Sequence, residues 1–263
     1  MTARCTIALT LLLGCGRPLA VERQHEKRPW LLTDELRAAV AAHDETLRTA
    51  RSSLLLANNV SVTDCAQYID ARRKGIGVSE EVNARFVSSE YLVCDVLSAT
   101  TEARAVEQQL PGLRGRVLAS RLDLRSFNSS LKPMLADDLS TLAALPGKLR
   151  ATDTTVTLGL EGWIVSLQVV AEVDLTHDGK VDWLVWLADG STESTYRDYR
   201  TLIVEDVAQN GPLHAAELWP ALTAVDRSSH LSTARGCGCQ QLPSIAIADR
   251  RGREARPSRS AMH

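Results

Sequence analysis

Asp174-Leu-Thr176-His-Asp178-Gly179-Lys180-Val-Asp182 sets oxygen side chains at its first, third, fifth and ninth positions around a glycine at the sixth. That spacing suits a hard divalent cation. Calcium takes roughly six to eight oxygens, and such a loop wraps the side chains of Asp174, Thr176, Asp178 and Asp182 and the Lys180 carbonyl around one ion while the glycine admits the sharp turn. Position twelve is Val185, where a helix-flanked calcium loop has a bidentate carboxylate, so a further ligand must come from Asp189, Glu193, Asp206 or water. The same residues read without an ion as an Asp178-Gly179 turn joining two strands.

The loop lies in an acidic block. Residues 151–220 hold three basic and twelve acidic residues, a net −9, which suits a cation or a basic partner and disfavours nucleic acid. Trp163, Trp183, Trp186 and Trp219 share this block, and a glycan-binding module would need at least two of them exposed on one face. Strand positions make them core residues first. Tyr196-Arg197-Asp198-Tyr199-Arg200 reads as a loop between two strands in which Tyr196, Arg197 and Tyr199 offer the aromatic and guanidinium groups that contact surfaces favour.

The nine-residue loop resembles the calcium loops of dockerin, thrombospondin type 3 and FG-GAP repeats, and the strand after it favours the FG-GAP kind. No second copy occurs, so no propeller of repeats is implied. At the other end of the chain, an arginine, the apolar run Thr6–Leu13, a small Gly14 and Cys15 follow the order of an export signal. Leu12-Leu13-Gly14-Cys15 resembles the lipobox of bacterial lipoproteins. That resemblance implies cleavage before Cys15, diacylglycerol on its thiol and acylation of the new amino end, and several acyl chains anchor where one is marginal. Gly16 in place of an aspartate implies passage to the outer membrane, on its periplasmic face. The partners so implied are the membrane itself and an envelope protein or glycan.

Maturation on this plan removes Cys5 and uses Cys15, leaving Cys65, Cys94, Cys237 and Cys239 in an oxidising compartment, where three pairings are open. Cys65 with Cys94 is favoured because both fall in segments that read as helices of one bundle, with two buried free thiols as the alternative. Cys237-Gly-Cys239 is too tight for an unstrained bond and stays free, labile or bridged elsewhere. Zinc is disfavoured by the exported setting and the lack of a second close pair.

Catalytic motifs are missing: no nucleophile elbow, zinc-protease helix, Walker loop or dinucleotide glycine pattern occurs. His43-Asp44 and Asp137-Asp138 are adjacent, and neighbours on a helix do not face one another. His214 and His230 could join a triad only through fold geometry. The chain therefore reads as a non-enzymatic binding or interaction protein. A hydrolase of envelope polymers is the alternative, and it would open Asp174 or Asp182 into a cleft with a raised pKa.

The 263 residues, 44% hydrophobic and 24% charged with a net −2, exclude a disordered chain, a membrane-spanning bundle and a disulfide scaffold. Thr33-Asp34-Glu35 opens a helix through Leu36, Val40, His43 and Leu47. Thr63-Asp64 opens a second that closes on Arg72-Arg73-Lys74-Gly75, and Ser79-Glu80-Glu81 a third through Val82, Phe86, Val93 and Leu97. Thr101 begins a short fourth, and another helix falls near 135–145. After Pro146-Gly147 strands are expected over 154–160, 163–173, 182–188, 200–206 and 213–218, in an antiparallel meander. Both faces of 182–188 are apolar, which predicts a central strand covered on both sides.

The organisation expected is a signal peptide over 1–14, a lipidated cysteine and tether of roughly 20 Å reach over 15–29, a helical part over 30–145, an antiparallel β part over 146–235 and an irregular basic tail over 236–263. The fold class is α+β, the N-terminal helical part packed on a C-terminal antiparallel β-sheet.

Overall fold

The computed structural model describes residues 29–222, apart from 108, 109, 137, 220 and 221. The export signal, Cys15 and residues 16–28 of its tether, the Cys237-Gly-Cys239 pair and the basic tail lie outside the described residues.

Thr33 caps α1 (Asp34–Ala41), its hydroxyl accepting the Leu36 N–H at 3.2 Å. The helix expected to continue through Leu47 breaks at Ala42, where φ −100 and ψ 41 leave the helical region, and α2 takes His43–Arg48. Asp64 caps α3 (Cys65–Arg73) by accepting the Gln67 N–H at 2.8 Å, and the helix runs out before Gly75 at φ 80. The third expected helix is also two, α4 (Val82–Val87) and α5 (Leu92–Glu102). Between them the 3-10 turn Ser88–Tyr91 carries hydroxyls that bond back to the Arg85 and Phe86 carbonyls, at 2.6 and 3.0 Å. Such back-bonding competes with regular helix.

No separate helix starts at Thr101, which belongs to α5. Beyond it the backbone extends, and Arg104 exchanges two backbone hydrogen bonds with Asp174, at 2.9 and 3.0 Å. A further helix, α6 (Arg114–Arg121), lies in the stretch read as mixed, while 135–145 holds only the 3-10 turn Leu142–Ala144. The N-terminal part also contains β1 (Trp30–Leu31) and a small hairpin of β2 (Leu54–Leu55) with β3 (Ser61–Val62). Cys65 on α3 and Cys94 on α5 are joined in a disulfide, with Cα atoms 5.1 Å apart and both residues fully buried.

The sheet is the antiparallel meander β4 (Lys148–Ala151), β5 (Thr155–Leu160), β6 (Trp163–Val173), β7 (Asp182–Ser191), β8 (Arg197–Val204) and β9 (Ala215–Glu217). β1 joins β6 beyond the end of β5, Trp30 facing Glu172 and Leu31 facing Ala171. The fold is α+β, with β7 in the interior of the sheet. One face packs under α1 to α5, where Val170, Ala171, Leu184 and Ile203 share a core with Leu36, Tyr68, Val96 and Leu97. The other face packs under α6 and the turns that follow, where Val165, Leu167, Trp183 and Val185 meet Leu118, Leu122, Phe127 and Leu142. A bulge at Val170 re-aims β6 between these layers, so that Val170 and Ala171 both serve the helical side. Gly115 lets α6 approach the β4–β5 turn, since a Cβ there would stand 2.4 Å from the Thr155 carbonyl oxygen.

Candidate functional site

The loop Asp174–Asp182 joins β6 to β7 as a tightly bonded turn. Asp174, 3% exposed, accepts the N–H groups of Asp178 and Gly179 on its two oxygens, each at 3.1 Å. Asp182, 1% exposed, accepts the Leu175 N–H at 3.0 Å on one oxygen and the Asp206 N–H at 3.1 Å on the other. Gly179 has φ 83 and His177 φ 62; the His177 ring ties the loop to the end of α5 by donating from Nε2 to the Glu102 carbonyl at 2.7 Å. These bonds satisfy a sharp turn that would otherwise bury open amides.

Beside the turn is a cavity of about 320 Å³ lined by Thr176, Asp178, Lys180, Asp182, Glu205 and Asp206, with Gln209 and His214 at its side. Of the three extra ligands the sequence offered, only Asp206 arrives here. Asp189 lies toward the far end of β7 and accepts from the Ser130 amide and hydroxyl at 2.6 and 2.5 Å, and Glu193 sits against Gly162. The Lys180 ammonium reaches Asp206 at 2.6 Å and Asp178 at 3.6 Å. Its hydrogen bond to Asp206 holds that ammonium above the usual lysine range, the Lys180 amide holds Asp178 below the usual carboxylate range, and burial pushes Asp182 up to about 6.

The fit to calcium is one of donor type. Thr176, Asp178, Asp182, Glu205 and Asp206 line one space with hard oxygens, but Asp182, like Asp174, spends both carboxylate oxygens on backbone N–H groups, and Lys180 occupies the role of the cation. Among the described residues no group of three or more His, Cys, Asp or Glu is drawn together as a metal centre.

A second site went unseen in the sequence. A cleft of about 470 Å³ opens between α3, α4, α5 and β8, with Asp95 at its floor. Asp95 is 2% exposed and accepts from the Thr201 hydroxyl at 2.5 Å and the Trp219 indole at 2.7 Å. Burial nevertheless pushes its carboxyl above the usual range. Above it the Arg72 guanidinium lies 5.9 Å from the Tyr68 ring centre and 5.6 Å from that of Trp219. The local signal for this site was an aspartate inside the apolar run Leu92-Val-Cys94-Asp95-Val-Leu97, a residue type that is buried only with partners.

The segment read as a loop carrying a contact surface is mostly strand. Arg197 and Tyr199 belong to β8 rather than to a loop between strands, and Tyr196, Arg197 and Tyr199 are all half-buried. Tyr196 packs edge-on against Trp163 with ring centres 5.5 Å apart, Arg197 holds the carbonyls around the β7–β8 turn, and Tyr199 lines the cleft. A tryptophan platform is not formed among the described residues. Trp183 and Trp219 are buried, and Trp163 and Trp186, opposite Ser191 and Gln168, alternate onto opposite faces. His43 Nδ1 does stand 3.2 Å from Asp44 Oδ1, at an exposed position away from either cavity.

The chain matches no family model, no curated protein and no solved structure.

Proposed function

We propose that this chain is an exported, lipid-anchored, non-catalytic binding protein of the bacterial cell envelope, whose acidic β6–β7 loop takes calcium as a structural brace. The observation that carries the reading is the buried Cys65–Cys94 disulfide. Such a bond persists in oxidising compartments, which agrees with the apolar run and lipobox-like Leu12–Cys15 at the start of the chain. Attachment in this reading comes from acyl chains on Cys15, as the lipobox-like residues imply; among the described residues no helix is long and apolar enough to cross a membrane.

Calcium supports the fold in this reading by replacing the Lys180 ammonium between Asp178 and Asp206 and drawing on Thr176, Glu205 and the Lys180 carbonyl, with Asp182 bracing the turn through its two amide bonds. Binding is weak because the ligand set is incomplete, on the order of 10⁻⁴ to 10⁻³ M as in extracellular modules. At roughly ten times the Kd the gain is about 1.4 kcal/mol, or a melting temperature some 3 to 5 °C higher in calcium than in EDTA. Equal melts in both buffers would remove the ion from the account and leave a hairpin turn.

The hydrolase reading keeps one observation in its favour: Asp182 lines a cavity beside His214 with its carboxyl pushed up to about 6. Both Asp182 oxygens already accept backbone N–H groups, which fits a brace better than a proton donor. Hydrolysis of peptidoglycan fragments that Asp182→Asn abolishes would reinstate the enzyme.

A further inference from the structure

We propose that the cleft between α3, α4, α5 and β8 binds a small organic monocarboxylate, whose carboxylate is held by the Arg72 guanidinium. The assignment rests on the binding-protein reading above and needs neither the anchor nor the ion. Three guanidiniums line the cleft, and two are already paired. Arg85 is bridged to Glu80, and Arg200 pairs with Asp198 at 2.8 Å and Glu217 at 2.5 Å. Among the described residues Arg72 has no ion pair of this kind, and the carboxyl that interacts with its charge is that of the buried Asp95 below it. Its one hydrogen bond, from Nη1 to the Ile76 carbonyl, is long at 3.5 Å, and its Nε is buried without a hydrogen-bond partner.

The side chain is nonetheless held in place. Tyr68 and Trp219 stand at cation–π distance from the guanidinium; the Trp219 indole is fixed by its hydrogen bond to the buried Asp95, and the Tyr68 ring packs against Tyr91 and Trp219 with ring centres 5.1 and 5.9 Å apart. A planar fork with open donors, oriented before any ligand arrives, matches a carboxylate edge and loses little freedom on binding it. Polar groups left unmet in a buried place favour whatever satisfies them.

Charge selects the class of anion. Among the described residues Arg72 is the one guanidinium of the cleft outside an ion pair, which suits a monoanion, whereas a phosphate dianion would face the carboxyl groups of Glu80, Asp95, Asp198 and Glu217 in the same cleft. Val78, Leu92 and Leu218 supply apolar wall for the organic part, and a space of about 470 Å³ lies within the range of small-molecule sites.

Titration calorimetry of the full chain with benzoate tests this, with benzamide as the neutral isostere and inorganic phosphate as the other anion. Benzoate should bind with a Kd on the order of millimolar, and the two controls about tenfold more weakly or not at all. Arg72→Lys should weaken benzoate about tenfold while the near-ultraviolet circular dichroism stays that of the wild type. If that variant is destabilised, amide shifts of the wild-type chain decide: perturbation by benzoate centred on Gly75, Gly77, Val78 and Thr201 supports the site. No benzoate binding, phosphate binding as tightly as benzoate, or shifts centred elsewhere would each overturn it, whatever the calcium melts and the analysis of Cys15 return.

Discussion

The Lys180 ammonium stands 2.6 Å from one carboxylate and 3.6 Å from another, so the acidic loop already carries a cation of its own. An added ion competes with that tethered charge. Lys180→Met leaves the Lys180 carbonyl in place and removes the competitor, so the difference between melts in calcium and in EDTA should grow beyond the wild-type value; a smaller difference would show that calcium does not enter here. Arg114 poses the opposite case, a cation the core cannot spare. It is 1% exposed and bonds Glu172 at 2.8 Å, beneath the Trp183 indole that donates to the same oxygen at 3.2 Å. Arg114→Met removes the cation beside the buried Glu172 carboxylate and should cost about 3 to 5 kcal/mol in urea denaturation, most of it recovered in the double variant with Glu172→Met. Asp95 adds a pH signature. Burial raises its carboxyl in the folded chain, so between the ordinary carboxylate range and the folded value the native state holds a proton that the unfolded state has lost. Stability from this group therefore falls as pH rises through that window. The stability of wild type minus that of Asp95→Asn should be greatest near about pH 4 and decline upward, and a difference independent of pH would contradict it.

Between elements, the disulfide ties α3 to α5 beneath the cleft, closing a loop of 29 residues' separation. In the chain-entropy model its loss costs about 3 to 4 kcal/mol through a freer unfolded chain, so Cys65→Ala with Cys94→Ala should lower the stability extrapolated to water by that amount and raise the m-value in urea denaturation. Where an element's limits were set by its own side chains, the sequence was readable: the Thr33 and Asp64 caps, the stop at Gly75 and the β-branched runs of β5 to β8 all stand where their chemistry puts them. The breaks were set elsewhere. Ser88 and Ser89 turn a continuous apolar period into two helices by bonding backward, and the expected fourth helix is replaced because Arg104 pairs with the backbone of Asp174, 70 positions on. β1 is two residues long and exists only because β6 outruns β5 and leaves an edge to be paired. The loop was legible as nine consecutive residues, although Asp174 and Asp182 proved to be spent on amides. The cleft was not, because Tyr68, Arg72, Asp95, Thr201 and Trp219 come from four separate segments, and only the aspartate in an apolar helix hinted at it.

At the scale of the whole molecule, the three ideas of export, brace and binding cleft are physically separable, and the first decides where the other two operate. A disulfide-clasped helical layer, a sheet covered on both faces and a cleft lined by three guanidiniums would serve an untethered exported protein as well as a tethered one. What distinguishes the tethered form is the chemistry at Cys15. Intact-mass and amino-terminal peptide analysis of the protein recovered from membranes of a bacterial host with the lipoprotein-processing enzymes is the direct measurement. The mature chain should begin at Cys15 with diacylglycerol on the thiol and a further acyl group on the amine, and a Cys15→Ala variant should leave the detergent phase for water. An unmodified Cys15, or a mature chain that begins near Val21, would contradict it.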